Sequence, residues 1–289
     1  MYGLLNINKP SGVTSRHVVD VVARLVRPAK AGHAGTLDPL ASGVLVVCVG
    51  PATRLIEYVQ RQPKQYRGTF LLGRESPTED IEGEVTLLAD PPIPTREEVI
   101  GVLPRFVGQI EQRPPAFSAL KLSGKRAYDL ARAGKDVQLE PRTITVERIE
   151  LVRYEYPELV LDIACGGGTY VRSLGRDIAA AIGTAAVMSS LVRREIGDFR
   201  LDDSCQLSEL NAGTLKGHLL PATAAVSALP KVALTADQAA RVGRGLPIDL
   251  PDAIGDEVAA LDSTGQLLAI LARQPDRRYR AVRNLITDG

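Results

Sequence analysis

Apolar runs and short polar breaks alternate along the whole chain, and their period changes from one stretch to the next. Residues 3–8 predict a short strand, closed by a turn at Asn8-Lys9-Pro10-Ser11-Gly12. Thr14 or Ser15 then caps a helix whose stripe is Val18, Val21, Val22, Leu25 and Val26, and Arg27-Pro28 ends it. Val44–Val49 is unbroken and apolar, the pattern of a buried strand. A short helix is expected over 52–60, a strand over 66–73, and a polar loop with a hairpin over 75–90. Thr95 and Glu98 have the form of a capping box for a helix reaching about Phe106. Residues 143–152 and 158–164 alternate well enough to pair as strands. Gly166-Gly167-Gly168 leads into a helix through Asp177–Ile182, followed by a strand or turn over 191–199. The Ala/Leu stretch 207–229 reads as helical and stops at Pro230, and 231–289 breaks into short segments between glycines. Short strands interleaved with helices, without regular βαβ alternation, predict an α+β fold rather than a doubly wound one.

Composition narrows the class. The chain has 289 residues, 45% of them hydrophobic, no Trp and few aromatics, so aliphatic side chains must fill a sizeable core. No apolar run approaches the length of a membrane span, and Met1–Asn6 lacks the pattern of a secretory signal. Cys48, Cys165 and Cys205 are widely spaced and odd in number, and His17, His33 and His218 offer no paired ligand spacing. The expectation is a reduced, cytoplasmic protein with no structural metal. Net charge is only +1, but it is unevenly spread. Residues 1–74 carry ten Lys/Arg against three Asp/Glu, residues 75–111 two against nine, residues 118–142 six against three, and residues 271–283 five against one. Local basic patches of this kind keep RNA or DNA open as a partner, with ordinary solvated faces as the alternative.

The chemistry concentrates in Gly32–Leu45, which holds one acid, one His, three Gly and a Pro ahead of the buried strand. Asp38 there reads either as a nucleophilic carboxylate on a loop or as an ordinary Asp-Pro turn. Tyr66, in Lys64-Gln65-Tyr66-Arg67, suits stacking on a flipped base or proton exchange, or a plain sheet aromatic. The Gly166–Gly168 run lacks any P-loop or dinucleotide fingerprint, which argues against a nucleotide cofactor. In an extended segment it presents Tyr170 and Arg172 on one face, with Arg172 pairing a buried carboxylate, a phosphate or a structural partner. His33 suits stacking or a loop hydrogen bond, because no Ser or Cys nucleophile motif accompanies it.

Six ordered motifs then carry a resemblance. Gly32-His33-Ala34-Gly35-Thr36-Leu37-Asp38-Pro39-Leu40-Ala41-Ser42-Gly43 closely resembles the active-site loop of the TruB family, bacterial tRNA pseudouridine synthases that act on the T loop. Asn8–Ser15 resembles the family's Lys-Pro-Gly motif, and Lys64–Arg67 its tyrosine motif. Ser118-Ala119-Leu120-Lys121 through Tyr128 resembles its RNA-gripping thumb. Gly168–Arg172 and Leu191-Val192-Arg193-Arg194 resemble its two later motifs. The resemblance spans about residues 3–200. It departs at Ala185-Ala186-Val187, where the family pattern often has a His, and at Val192, where Arg is common.

This resemblance implies a pseudouridine-synthase fold with a central mixed, largely antiparallel sheet flanked by helices. It implies a catalytic domain over 1–230, a thumb-like basic insertion at about 113–142, and a small β-rich PUA-like module over 231–289. The implied activity is isomerisation of the uridine at position 55 of the tRNA T loop, by base flipping, without cofactor or metal. The implied partner is the T-stem-loop, bound by a monomer. Asp38 becomes the catalytic carboxylate, Arg172 its paired cation, and Tyr66 the residue that packs on uracil and moves a proton. Lys9 supports the loop, His33 fills the space left by the flipped nucleotide, and Tyr170 and Leu191 line the uracil pocket. Lys121, Lys125, Arg126, Arg193, Arg277 and Arg278 become RNA contacts. A tRNA-folding protein in which catalysis is secondary fits the basic segments equally well. A relative working with guide RNAs is a third reading; the compact length favours a standalone bacterial-type enzyme.

Overall fold

The structure, a computed structural model, describes residues 2–118, 121–122, 125–126, 139–250 and 255–286. In chain order the elements begin with β1 Gly3–Lys9, α1 Ser15–Leu25, β2 Ala31–His33, β3 Ser42–Val49 and α2 Ile56–Arg61. Next come β4 Lys64–Leu72, β5 Arg74–Glu75, β6 Thr86–Leu87, α3 Arg96–Val102, β7 Gly108–Gln112, β8 Lys121–Leu122 and β9 Lys125–Arg126. They are followed by β10 Arg142–Glu155, β11 Glu158–Cys165, α4 Val171–Ala181 and β12 Ala186–Ile196. The chain ends with β13 Phe199–Arg200, β14 Cys205–Gln206, α5 Leu215–His218, β15 Lys231–Ala233, α6 Ala236–Gly243, β16 Glu257–Leu261, β17 Leu267–Arg273 and β18 Tyr279–Asn284. They divide into two compact units, one of Met1–Pro39, Gly43–Arg61 and Gly197–Gly289, the other of Leu40–Ser42 and Gln62–Ile196.

In the first unit β1 runs antiparallel to β3 from Gly3↔Val49 to Lys9↔Gly43. Strand β2 pairs with β3 on its other edge region, at Ala31↔Val49 to His33↔Val47, and β14 lies parallel to β1. Leu5, Ile7, Leu45, Val47 and Val49 meet Val18, Val19 and Val22 of α1 in a dry aliphatic core, as the Val-rich pattern requires. The same unit holds a second, four-stranded sheet, β15-β16-β17-β18, parallel between β15 and β16 and antiparallel elsewhere. It has its own core of Leu234, Val242, Ile248, Val258, Ala260, Ala269, Leu271 and Tyr279. Tyr58 donates to Glu257 at 3.2 Å and Arg283 to Glu57 at 2.9 Å, so residues 231–289 are tied to α2.

The second unit is an antiparallel sheet in the order β12-β4-β11-β10-β7. Strand β4 is central to it and alternates strictly between buried and half-buried positions. Helix α4 comes so close to β4 that a Cβ at Gly175 would run into the Phe70 ring, which explains a glycine inside a helix despite its entropic cost.

Several expectations needed correction. Residues 207–229 do not form a helix. They break into a 3-10 turn Leu207–Glu209, the single turn α5 and a 3-10 turn Ala222–Val226. Asn211 Oδ1 accepts the amides of Gly213 (2.9 Å) and Thr214 (3.2 Å), and Pro221 withholds an amide, so local capping overrides Ala/Leu propensity. The strand expected at 191–199 begins earlier, as β12 at Ala186. Tyr170 and Arg172 are not on an extended segment, because Tyr170 is the N-cap of α4 and Arg172 lies in its first turn. Of the basic insertion expected at about 113–142, residues 119–120, 123–124 and 127–138 lie outside the described residues.

Candidate active site

The Asp38 loop belongs to the first unit, and its backbone is fastened on both sides of the acid. Thr14 caps α1 by accepting the His17 amide at 3.0 Å, which leaves the Ser15 hydroxyl for another use. Ser15 is buried, and its Oγ both accepts the Leu37 amide and donates to the Leu37 carbonyl, each at 2.9 Å. On the other side, the Pro39 carbonyl accepts the Gly12 amide at 2.8 Å and Lys9 Nζ at 3.4 Å. Lys9 is fully buried, and its ammonium also donates to the carbonyls of Pro10 (2.9 Å) and Val13 (2.7 Å). A cation out of water is tolerable only when such acceptors replace its hydration. The Lys-Pro-Gly turn and the head of α1 therefore hold a half-buried Asp38 at a fixed place without any covalent staple. His33 ends β2, paired across from Val47. Ser15→Ala is expected to cost about 1–3 kcal/mol of stability, because two buried main-chain groups beside Asp38 lose their shared partner. A urea unfolding midpoint checks this.

The remaining candidates with described side chains lie in the second unit, apart from Arg277 and Arg278. Tyr66 is buried on β4 and faces Ile163 on one side and Arg193 on the other in the strand register. Leu191, also buried, sits opposite Gly68. Gln112 is fully buried and holds the Tyr170 backbone at both ends, accepting its amide at 2.9 Å and donating to its carbonyl at 3.0 Å. The Arg142 guanidinium lies over the Tyr170 ring, 4.9 Å from its centroid. In the first turn of α4, Arg172 is 6% exposed. It donates to the carbonyls of Thr78 (2.7 Å) and Phe117 (3.2 Å) and pairs with the Asp80 carboxylate at 3.4 Å. Asp80 is itself buried, with its other oxygen accepting Thr78 Oγ1 (2.6 Å) and the Glu82 amide (3.1 Å). The sequence reading missed Asp80, Gln112 and Ser15. Asp80 stands among nine acids in 75–111 and carries no pattern that separates it from its solvated neighbours.

Arg193, expected at the RNA, is 2% exposed. Its guanidinium faces the protein interior, where its charge reaches Lys64. Burial, reinforced by Arg193, pulls the Lys64 ammonium down to about 8. Arg278 is exposed and pairs with Asp276, its Nε 2.8 Å from Oδ2, while Arg277 adopts a left-handed backbone at φ 66°. Lys121, Lys125 and Arg126 lie on the short hairpin β8–β9, and their side chains lie outside the described residues.

Residues 23–171 match the TruB family pseudouridylate synthase N-terminal domain. The chain belongs to the TruB family. It is 41% identical to a tRNA pseudouridine synthase B of Dehalococcoides mccartyi over 292 residues, covering 99% of this chain and 97% of that protein. It is 41% identical to a tRNA pseudouridine synthase B of Cutibacterium acnes, covering 93% of this chain and 92% of that one. Among solved structures, this TruB-family chain resembles a chain of a Cbf5-Nop10-Gar1 complex, with TM-score 0.74, 26% identity, and coverage of 98% of this chain and 85% of that one. It resembles equally a chain of an H/ACA RNP bound to a substrate RNA containing 2'-deoxyuridine, with TM-score 0.75, 25% identity, and coverage of 99% and 85%. The α+β, pseudouridine-synthase reading of the sequence therefore holds.

Proposed function

We propose that this chain isomerises the uridine at position 55 in the T loop of tRNA, with Asp38 as the carboxylate that acts on the flipped nucleotide. As a TruB-family pseudouridylate synthase it converts uridine to pseudouridine in tRNA. The reaction breaks C1′–N1, turns the uracil and forms C1′–C5, and the hydrogen on C5 leaves as N1 gains one. Atoms balance within the nucleoside and water, so no group donor enters. Cleavage builds positive charge at C1′, and a placed carboxylate stabilises or captures such charge, as in glycosidases. The observation that carries the reading is the fastening of Leu37 and Pro39 by Ser15, Gly12 and Lys9, which supports a pre-positioned Asp38 rather than a loose turn.

In this reading Tyr66 stacks on the uracil and relays a proton, and Leu191 and Tyr170 form pocket walls. Arg172 supplies the cation of the reaction centre. Lys9 serves the loop, and His33 takes the place of the extruded nucleotide, whose unstacking costs roughly a few kcal/mol. Arg277 and Arg278, with Lys121, Lys125 and Arg126, contact phosphates. The four-stranded sheet of 231–289 serves as the PUA-like RNA-binding module, the catalytic domain being 1–230. The chain works as a cytoplasmic monomer. Among the described residues, no helix is long and apolar enough to cross a membrane. A transcript of one tRNA tests the target. The expected result is one pseudouridine, at position 55, and none when that uridine is replaced by cytidine. Pseudouridine formed at another position at the same rate in both transcripts would overturn the assignment.

A further inference from the structure

Helix α4 carries two arginines four residues apart, hence on one face, and the roles proposed above use only the first. Arg176 pairs with Glu79 and donates through Nε to Asp177 at 2.8 Å and through Nη2 to the Arg113 carbonyl at 3.0 Å. The second oxygen of Glu79 accepts the Ser173 hydroxyl at 2.7 Å. Glu79 takes a left-handed backbone, φ 62°, a conformation that costs a non-glycine residue energy and persists only where neighbours hold it. Its carbonyl accepts the Met188 amide at 3.0 Å, and the Ile81 amide returns to Met188 at 3.1 Å, so this turn is stitched to β12.

These contacts interlock with those of Arg172. Arg172 rests on Thr78, Asp80 and Phe117, and Arg176 grips Glu79, between the first two, and Arg113, four residues before the third. Two of the three anchors, Thr78 and Asp80, thus flank the residue that Arg176 grips, and the third, Phe117, follows four residues after the carbonyl it holds. Glu79 is mostly buried against α4, and burial pushes its carboxyl up against the pull of Arg176, as it does for Asp177. A surface ion pair kept only for solubility would be hydrated rather than desolvated in this way.

We propose that Arg176, clamped by Glu79, is a positioning residue that fixes the 78–80 turn and the 113–117 backbone, and through them sets the guanidinium of Arg172 for the reaction. This rests on the reading of Arg172 as the cation of the reaction centre. Arg176 does not touch the substrate in this account. Its loss therefore acts on kcat, whereas a misplacement of about 1 Å costs on the order of a hundredfold.

The test is a double-mutant cycle on the full chain, read as single-turnover pseudouridine formation on a tRNA transcript, with tRNA affinity and thermal unfolding measured in parallel. Arg176→Met is expected to lower kcat ten- to a hundredfold with KM nearly unchanged, and Arg176→Lys to recover part of it. In an Arg172→Lys background the same Arg176→Met change is expected to cost less than about threefold, because its target is already displaced. An equal loss in both backgrounds, or wild-type kcat in Arg176→Met, overturns the proposal. Should Arg176→Met fail to fold, Glu79→Gln carried through the same cycle decides it, with the same two outcomes. Wild-type kcat in Arg172→Lys would instead sink the reading of Arg172 itself, so the two failures are distinguishable.

Discussion

Asp38→Asn is expected to slow pseudouridine formation by roughly three orders of magnitude or more, the scale seen when a nucleophile or a charge-stabilising group is removed. The substitution keeps the size and planarity of the side chain and removes its charge. The loop should keep its place, because Ser15, Gly12 and Lys9 hold it through the main-chain atoms of Leu37 and Pro39. Stability and tRNA affinity are therefore expected to stay close to wild type, so that the loss is confined to turnover. The rate is read by digesting the tRNA after a single turnover and separating its nucleosides. A variant that binds tRNA and turns over at near the wild-type rate would remove Asp38 from the chemistry.

Arg172→Met is expected to do two separable kinds of damage. It strands the Asp80 carboxylate, 4% exposed at the side chain, without its cation. Breaking a buried pair on one side costs about 3–5 kcal/mol, which a urea unfolding midpoint registers clearly. On the proposed reading of Arg172 it also removes the cation of the reaction centre, at a cost of roughly a hundredfold in turnover. Adding Asp80→Asn removes the stranded charge, while the amide oxygen still accepts from Thr78 Oγ1 and the Glu82 amide. The double variant is expected to regain most of the stability and none of the turnover. If turnover returned together with stability, Arg172 would be a purely structural partner of Asp80.

The sequence made the apolar skeleton of this fold legible, and the reasons are local. Val44–Val49 could only be a buried strand, and Thr95 with Glu98 does form the capping box that ends α3's exposed amides. The Asp38 loop stands out in the sequence as a candidate place for chemistry, because Gly, His, Asp and Pro there pack so little surface of their own. Contacts of long sequence separation were not legible. Ser15 lies 22 residues from Leu37, and Asp80 lies 92 from Arg172, and neither spacing leaves a periodic trace. The exchange of caps at the head of α1 shows the limit well: Thr14 and Ser15 were equivalent as cap candidates, and only the fold assigns the first to the helix and the second to the loop. Arg193 shows the opposite case, since a basic residue in a basic motif reads as a phosphate contact while its burial, 2% exposed, is visible only in the fold.

The account's central claim is that Asp38 drives the exchange of C1′–N1 for C1′–C5 at the T-loop uridine. Release of tritium from C5 tests it most directly, because that hydrogen leaves only when C5 has bonded to C1′. With a transcript labelled at C5 of its uridines, the wild-type chain is predicted to release one equivalent of tritium per tRNA. The Asp38→Asn chain, bound to the same transcript, is predicted to release essentially none over the same time. Release of one equivalent by both chains at comparable rates would contradict the account.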